Sequence, residues 1–416
     1  MMVEPRALRK DGFMKNKKVL MVLPHMVGGG AERVSAQIIN EMNRRGIDTT
    51  FILTSDKKDE VVRSDLDENT ELILLPEVMN PETTGEKLRY MPSRLISSLF
   101  SKFYEKSGKY VPAALARMSL QWQYHREIKY IRQVMTDSPD TVVIAFLQPA
   151  IPIVLLAGLG LKNRIILSER CDPNRLMKKR YGKKFIEKYY VNADVMVFQT
   201  EDAKKVYPDS VSKNGCVISN PIKAGLPKSY SGERNQTIST FCRISEQKNL
   251  PLLIDAFAML HKEHPDYTLR IIGDAPNQED KEVLQAVKAQ IAELKLGDCV
   301  KLEPFMKNVH EAVMKDAMYV SSSDYEGISN AMLEAMAIGM PVVCTDCPIG
   351  GAKATIKDGE NGLLVPIKDA KALYLGMKRL IEDKALAKKV SSNASLLREE
   401  LSLASITEKW IQLLGD

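Results

Sequence analysis

Short apolar runs alternate with longer amphipathic stretches along most of the sequence. Runs of this kind are typical of strands buried in a parallel sheet, and the stretches between them are typical of the helices that cover it. The predicted strands are Val19–Leu23, Thr50–Thr54, Glu71–Leu75, Thr141–Phe146, Arg164–Leu167, Val195–Phe198, Cys216–Ser219, Thr237–Phe241, Thr268–Ile272, Val300–Leu302, Met318–Ser321 and Val342–Thr345. The alternation predicts an α/β protein with parallel sheets.

A break in the alternation divides the sequence into two halves. The residues from Asn220 to Asn235 are rich in proline, glycine and serine, which is typical of a linker. A chain of 416 residues is also too long for one ordinary core. We expect a disordered extension at 1–16, a Rossmann-like domain at 17–222, a linker at 223–235, a second Rossmann-like domain at 236–402, and a helix at 403–416 that packs back on the first domain. Two doubly wound domains joined in this way enclose a cleft.

The stretch Asp324–Val343 combines two carboxylates with a predicted helix N-terminus. Ser329 is a favourable N-cap before a run of helix formers that ends at Gly339. Glu326 then lies in the preceding loop and Glu334 lies inside the helix, roughly 10 Å away along the axis. Free backbone N–H groups at a helix N-terminus bind anions, so a nucleotide diphosphate sugar suits this spacing. The alternative is that both glutamates are solvated surface residues.

Three consecutive glycines, Gly28 to Gly30, follow the first predicted strand and precede a helical pattern from Ala31 to Arg45. Strand, glycine loop and helix form the opening unit of a doubly wound sheet. The loop lacks the G-x-G-x-x-G spacing of dinucleotide-binding proteins. Because it has no side chains it lets a ligand or another backbone approach closely, and a plain tight turn is the alternative. His25, just before the loop, either faces the cleft or has a structural role.

Two cations, Arg243 and Lys248, stand where a strand of the second half leads into a helix. Both could donate charge-assisted hydrogen bonds to a diphosphate, and the helix dipole would add to the attraction. Gly273 and Phe305 follow two other predicted strands. Parallel sheets bind ligands outside the carboxyl ends of their strands, so all four residues are candidates for one site.

The positive charge is unevenly distributed in an otherwise ordinary globular composition, with 44% apolar residues, 27% charged residues and a net charge of +6. Basic residues are concentrated in Pro81–Met135, where aromatic and aliphatic residues are interleaved, and in Arg175–Lys188. Basic amphipathic helices can dock on an anionic membrane surface, and a solvated face is the alternative. No nucleic-acid-binding motif is evident, so we expect no nucleic-acid partner.

Several features bear on cellular location. The most apolar run, Pro149–Leu161, is shorter than the roughly 18 residues of a spanning helix, and we expect it to be a buried core helix. The first residues lack an apolar signal for export. Six cysteines suggest reduced thiols, and the C-x-x-C of Cys344 and Cys347 has no second pair at metal-ligand spacing. We expect a cytoplasmic protein that is peripheral on the inner face of the cell membrane.

Several segments resemble a known family. CRISEQKNL, IIGDAPNQ, DYEGISNAMLEAMAIGMPVVCTDCPIGG and NGLLVP, in this order, resemble the nucleotide-binding half of glycosyltransferase family 4. MVGGGAERV and ILSERCDP are similar to the acceptor half of its polysaccharide-assembling members. The resemblance covers nearly the whole sequence. It implies the GT-B fold, in which two Rossmann-like doubly wound domains face each other across a cleft, and a retaining sugar transfer.

The resemblance also implies residue roles. Arg243 and Lys248 would hold the diphosphate and stabilise the leaving group, and Glu326 would contact the donor sugar. These three are the implied catalytic residues, and Glu334 would bind the ribose hydroxyls. The remaining implied or candidate donor-binding residues are Gly28, Gly29, Gly273, Phe305, Gly327, Ile328 and Ser329. Neither a metal nor another cofactor is expected.

The implied reaction moves a hexose or N-acetylhexosamine from a nucleotide sugar, with UDP as the family expectation, to a lipid-linked or growing surface glycan. One departure is Gln148, in AFLQPA, where many relatives have a histidine. An epimerase, a phosphorylase, or a catalytically silent subunit of a polysaccharide-assembly complex are the alternatives. The complete set of Arg243, Lys248, Glu326 and Glu334 argues against a silent subunit.

Overall fold

The computed structural model describes residues 17–26, 29–55, 65–68, 70–79, 85, 111–170, 172–178 and 182–415. The strands are β1 Lys18–Leu23, β2 Asp48–Leu53, β3 Glu71–Leu74, β4 Val142–Phe146, β5 Ile165–Ser168, β6 Val195–Phe198, β7 Gly215–Val217, β8 Thr237–Phe241, β9 Thr268–Ile272, β10 Val300–Glu303, β11 Met318–Ser321, β12 Val342–Thr345 and β13 Leu363–Val365. The predicted extension, Gly28, residues 81–84 and 86–110 of the first basic run and residues 179–181 of the second lie outside the described residues.

The helices alternate with these strands. They are α1 Gly30–Arg44, α2 Leu75–Val78, α3 Ala113–Gln123, α4 His125–Asp137, α5 Ala150–Gly158, α6 Pro173–Lys178, α7 Gly182–Tyr189, α8 Glu201–Val206, α9 Asp209–Ser212, α10 Leu250–Glu263, α11 Gln278–Glu293, α12 Val309–Val313, α13 Asn330–Ala337, α14 Ala370–Glu382, α15 Lys384–Ser395, α16 Leu397–Glu400 and α17 Leu403–Gln412. Short 3₁₀ turns cover Tyr190–Asn192 and Glu246–Lys248.

The described strands form two sheets, with the orders β3-β2-β1-β4-β5-β6-β7 and β10-β9-β8-β11-β12-β13. The pairings between neighbouring strands are parallel in both sheets. The prediction of two doubly wound α/β halves is therefore confirmed. The strand order reverses between β1 and β4 and again between β8 and β11. A crevice opens at the carboxyl ends of the strands at such a reversal.

Helix α5 shows how the apolar pattern determines packing. It is apolar on all sides, and each of its nine residues is buried. A helix of this kind has no face for solvent and is placed in the core. The prediction of a buried core helix within Pro149–Leu161 is confirmed.

The chain crosses between the two halves at two adjacent places, once after β7 and once after α15. The two crossing segments are hydrogen-bonded to each other, because the Ile222 N–H donates to the Leu401 carbonyl at 2.8 Å. The Arg398 guanidinium also donates to the carbonyl oxygens of Pro227 at 2.7 Å and Leu226 at 2.5 Å. The two crossings therefore act as one double connection.

The last helix, α17, packs against the first half. The Trp410 ring is fully buried, and its centroid lies 5.3 Å from that of Phe146 at the end of β4. On the surface, Arg45 Nη1 lies 2.7 Å from Glu408 Oε2. The first sheet thus obtains part of its covering layer from the far end of the chain.

We expect Trp410→Ala to lower the free energy of unfolding by about 3–5 kcal/mol, because it removes a large, fully buried ring and leaves a cavity. Urea unfolding followed by circular dichroism measures this loss. The matched control is Leu396→Ala, because Leu396 is 69% exposed and its truncation should change stability by less than about 0.5 kcal/mol. Equal effects of the two substitutions would contradict the packing of α17 described above.

Candidate active site

Helix α13 begins where the sequence predicts it. The Ser329 hydroxyl accepts a hydrogen bond from the Met332 N–H at 3.3 Å, which makes Ser329 the N-cap. The helix ends before Gly339, whose φ of +78° is in the left-handed region that favours glycine. Glu326 therefore lies in the loop before the helix and Glu334 lies within the helix, as predicted.

The backbone N–H groups of Gly327, Ile328 and Ser329 have no hydrogen-bond acceptor among the described residues. They lie at the N-terminal end of α13, where the helix dipole adds partial positive charge. Three adjacent N–H groups in this position form an arrangement that binds anions. The side chain of Ile328 takes no part in this arrangement, because it is buried in the hydrophobic core.

Lys248 and Glu326 form an ion pair at this end of the helix. Lys248 ends the 3₁₀ turn after β8, and its Nζ contacts Glu326 Oε2, with 16% and 19% of the two side chains exposed. The Ser323 hydroxyl donates to the same carboxylate oxygen at 3.4 Å. Burial is the largest single influence on Lys248 and by itself would lower its pKa. The charge and hydrogen bond of Glu326, together with the nearby Cys242 and Cys347, outweigh burial, so the pKa is raised. The lysine is therefore a fixed cation at neutral pH.

Further hydrogen bonds join the Lys248 turn to the Glu326 loop. The Gln247 side-chain amide donates to the Tyr325 carbonyl at 2.9 Å, and the Asp324 N–H donates to the Gln247 carbonyl at 3.0 Å. The Asn249 side chain donates to Asp324 Oδ1 at 2.8 Å. The loops after β8 and β11, on either side of the strand-order reversal, are consequently held as one unit.

Arg243 is at the same sheet edge but is far more accessible. Its side chain is 56% exposed, and its Nε lies 3.6 Å from Asp280 Oδ2. The structure therefore brings Lys248 and Glu326 into direct contact, while Arg243 is held only loosely by Asp280. An exposed guanidinium at this edge can reach an anion by a change of rotamer.

Gly273 and Phe305 differ in what they do at the edge. A Cβ on Gly273 would lie 1.8 Å from the Cys242 carbonyl oxygen, and its φ is +155°, so this position requires glycine for the close approach of two chain segments. Phe305 follows β10, and its N–H donates to Asp274 Oδ1 at 3.1 Å. Its ring is 53% exposed and offers a flat apolar surface.

Glu334 has a partner that the sequence does not reveal. His310 Nε2 lies 2.8 Å from Glu334 Oε2, and the histidine is buried. The imidazole also packs edge-on against the Phe241 ring, with centroids 5.7 Å apart. His310 lies 24 residues before Glu334, on the short helix α12. No sequence spacing links the two positions, so only the fold could identify this pair.

The glycine loop of the first half meets the start of α13. The Asn330 side-chain amide donates to the Gly30 carbonyl at 3.3 Å, and a Cβ on Gly30 would lie 3.0 Å from Asn330 Nδ2. A Cβ on Gly29 would lie 2.1 Å from Glu32 Oε2. The loop without side chains therefore comes close to the start of α13 and to the buried Glu32 carboxylate. Gly28 lies outside the described residues.

Asn220 joins the halves beneath the site. Its side-chain oxygen accepts hydrogen bonds from Arg170 Nη1 at 3.0 Å and Gln199 Nε2 at 3.1 Å. Its side-chain nitrogen donates to Asn330 Oδ1 at 2.7 Å and to the Ile328 carbonyl at 3.3 Å. Sequence reasoning missed this residue because it treated Asn220 only as the start of the linker.

Two motif residues of the first half face its interior. The Gln148 side chain donates to Glu169 Oε1 at 2.5 Å and to the Tyr190 hydroxyl at 2.7 Å. Arg170 lies over the Phe146 and Trp410 rings, 5.1 Å and 5.6 Å from their centroids. Burial lowers the pKa of Arg170 to about 9, so it remains charged at neutral pH.

One residue of the second basic run contacts the second half. The Arg175 guanidinium lies 4.1 Å from the centroid of the Tyr325 ring, next to Glu326 in sequence. A hydrogen bond with the Tyr325 side chain raises the pKa of Arg175. This arginine therefore connects α6 with the loop before α13.

Two kinds of feature are missing from the part of the chain that the structure describes. Among these residues, no cluster of three or more His, Cys, Asp or Glu side chains has the geometry to hold a metal ion. No helix within the described ranges combines the length and apolarity needed to cross a membrane.

A double-mutant cycle measures the Lys248–Glu326 pair. We expect Lys248→Met to lower the free energy of unfolding by about 3 kcal/mol, because it leaves a largely buried carboxylate unpaired. Adding Glu326→Gln should recover part of the loss, with a coupling energy of about 2 kcal/mol at pH 8. The raised pKa of Lys248 implies that this coupling is lost only as the pH rises through the folded-state value, above the ordinary 10.5.

The exposed pair Lys205–Asp202, whose atoms lie 2.8 Å apart, is the matched control. Its coupling energy should stay below about 1 kcal/mol. If both cycles give the same small coupling, the buried pair does not stabilise the site as described.

Comparisons with known proteins agree with this geometry. The sequence model of the family described as glycosyl transferases group 1 matches residues 227–396. A Haemophilus influenzae protein described as an uncharacterized glycosyltransferase is 25% identical over 392 residues, which are 92% of this chain and 95% of that protein. The N-acetylgalactosamine-N,N'-diacetylbacillosaminyl-diphospho-undecaprenol 4-alpha-N-acetylgalactosaminyltransferase of Campylobacter jejuni is 26% identical over 279 residues, which are 64% of this chain and 74% of that protein.

The fold has close counterparts among solved structures. The Anabaena protein HepE, in complex with UDP and glucose, aligns over 96% of this chain and 99% of its own, with a TM-score of 0.73 and 18% identity. This likeness establishes the GT-B fold, and the family match covers the half that contains Lys248, Glu326 and Glu334. Residues 227–396 of the chain are similar to the group 1 glycosyltransferases.

Proposed function

We propose that the protein is a retaining glycosyltransferase that moves a hexose or N-acetylhexosamine from a UDP-sugar to a lipid-linked or growing surface glycan, without a metal ion. The observation that carries this proposal is the composition of the N-terminal end of α13. Three backbone N–H groups lie there between Glu326 and Glu334, and they have no acceptor in the described part of the chain. Lys248 is the partner of Glu326, and His310 is the partner of Glu334. Phosphates fit the centre of this arrangement and hydroxyl groups fit its two ends.

Each end of the arrangement has a separate task. Lys248 and Arg243 supply positive charge for the diphosphate, and Glu326 accepts hydrogen bonds from hydroxyls of the donor sugar. Glu334 accepts hydrogen bonds from the ribose, with His310 fixing the carboxylate from behind. The exposed Phe305 ring, together with Gly273 in its tight bend, lies at the edge left for the base.

The chemistry follows from where charge develops. The bond between the anomeric carbon and the phosphate oxygen breaks, the bond to the acceptor oxygen forms on the same face, and the leaving phosphate takes the acceptor's proton. Negative charge grows on the diphosphate during this step. Fixed cations at Lys248 and Arg243 stabilise that charge without rearrangement, and many enzymes owe most of their rate enhancement to stabilisation of this kind.

The acceptor and the location are inferred from two sources. The Campylobacter jejuni relative is named as acting on a diphospho-undecaprenol-linked saccharide, and this supports a lipid-linked acceptor. In the described part of the first half, α3 and α7 pack side by side and contain Arg117, Lys183, Lys184 and Lys188. Such a basic surface can dock on anionic lipid. We therefore infer peripheral attachment to the cytoplasmic face of the cell membrane.

Calorimetric titration with a panel of nucleoside diphosphates and nucleotide sugars tests the donor site. We expect one UDP-sugar to bind selectively, and Lys248→Ala and Glu334→Ala to weaken binding about 10- to 100-fold, because each removes a charged hydrogen-bonding group. Lys205→Ala, on an exposed surface pair, is the control and should bind as the wild type does. Transfer in the presence of EDTA tests metal independence, and the anomeric configuration of the product tests retention.

Folded protein that binds none of these nucleotides would contradict the donor site and favour a silent subunit. Binding without any transfer to a glycan acceptor would favour another GT-B chemistry.

His310 gives a second, independent test of the donor site. We expect His310→Ala to weaken binding of UDP about tenfold, because Glu334 loses the group that fixes its carboxylate. His310→Gln, which retains a donor, should lose less. His261→Ala is the matched control, since His261 stacks on Phe257 elsewhere in the same half. Equal UDP affinity of wild type and His310→Ala would contradict this role.

A further inference from the structure

We propose that His25, held by Glu32, binds the acceptor glycan by accepting a hydrogen bond from one of its hydroxyl groups. The inference rests on the proposed function and identifies a contact for its second substrate. From the sequence, His25 could either face the cleft or have a structural role. Glu32 is a buried glutamate that the sequence analysis did not consider.

The position of His25 is the first argument. It follows β1, which ends at Leu23, and β1 is one of the two strands between which the order of the first sheet reverses. Ligands of open parallel sheets bind outside the carboxyl ends of the strands at such a reversal. The second half has its donor residues at the equivalent reversal, between β8 and β11. Each half therefore presents one set of polar side chains at its crevice.

The second argument is closeness to the donor helix. Glu32 is in the first turn of α1, and the carbonyl of Gly30, the first residue of that helix, accepts the hydrogen bond from Asn330. Asn330 is the first residue of α13, directly after the three N–H groups that form the anion-binding arrangement. The start of α1, with its histidine partner, thus borders the end of the donor site where the sugar would lie.

The third argument is the arrangement of the pair itself. His25 Nδ1 lies 3.1 Å from Glu32 Oε1, at ion-pair distance but without the alignment of a hydrogen bond, and 24% of the histidine side chain is exposed against 5% of the glutamate. The carboxylate is stabilised by the N-terminal end of α1. In the neutral ring, a carboxylate next to Nδ1 favours the tautomer with the proton on that nitrogen, which leaves Nε2 as an acceptor.

The chemistry of the pair selects the ligand. Glu32 Oε2 is buried and has no hydrogen-bond partner among the described residues. A buried carboxylate oxygen left in this state is costly and needs an explanation. The negative charge disfavours phosphate next to His25, and an acceptor nitrogen requires a donor. A neutral sugar hydroxyl meets both conditions, whereas a diphosphate does not.

Kinetics with a probe acceptor test the inference. With the UDP-sugar identified by titration at saturation, p-nitrophenyl glycosides of hexoses and N-acetylhexosamines are varied as acceptors, and UDP release to water is measured without acceptor. We expect His25→Ala to lower kcat/KM for the acceptor about 10- to 100-fold, mainly through KM. UDP affinity and UDP release to water should change less than about twofold. Glu32→Gln should lower kcat/KM to a smaller extent.

Two further variants make the result unambiguous. His25→Gln keeps a hydrogen-bond acceptor and should recover part of the acceptor affinity, which a merely structural histidine would not predict. His264→Ala is the matched control, because His264 Nε2 pairs with Glu382 Oε1 at 3.3 Å away from the cleft. This substitution should leave kcat and KM for the acceptor, the UDP affinity and UDP release to water unchanged.

The outcomes separate this inference from the proposed function. Unchanged acceptor kinetics in His25→Ala, or an equal loss of UDP binding, would overturn the acceptor contact while the transferase activity stands. A folded wild type that neither binds nucleotide nor releases UDP would overturn the proposed function, and this contact with it.

Discussion

The side-chain amide of Asn220 is hydrogen-bonded to both halves of the molecule. An asparagine side chain offers two donor hydrogens and an oxygen that accepts twice, and here Arg170, Gln199, Asn330 and the Ile328 carbonyl use all four. Leaving such a buried group unsatisfied costs about 1–3 kcal/mol. The amide therefore opposes any shift of α13 against the first sheet, and the geometry of the cleft depends on it.

The proposed donor site is organised before any ligand arrives. Lys248 is a cation that would be costly to bury alone, and Glu326 neutralises it in place. The loops after β8 and β11 are joined by backbone and side-chain hydrogen bonds, so the pair does not rely on one loop alone. Cations and N–H groups that are already fixed stabilise a developing charge better than mobile ones. In the proposed reaction, the rigidity of these two loops would contribute to catalysis.

Local patterns in the sequence predicted the scaffold well. The apolar runs gave the strands, and Ser329 followed by helix formers gave the start of α13, because these signals act over a few residues. The partners of Glu334 and Asn330 could not be predicted, since His310 and Asn220 lie 24 and 110 residues away and meet them only through the strand order. The role of the basic segments stays a prediction.

The double connection between the halves limits how the cleft can open. Two chain segments that run side by side and are hydrogen-bonded at Ile222 and Leu401 cannot slide or twist independently. Rigid halves joined in this way move relative to each other by hinge bending about an axis through the connection. Sites far from that axis move most for a given angle, so a small bend there widens the mouth of the cleft for substrate entry and product release.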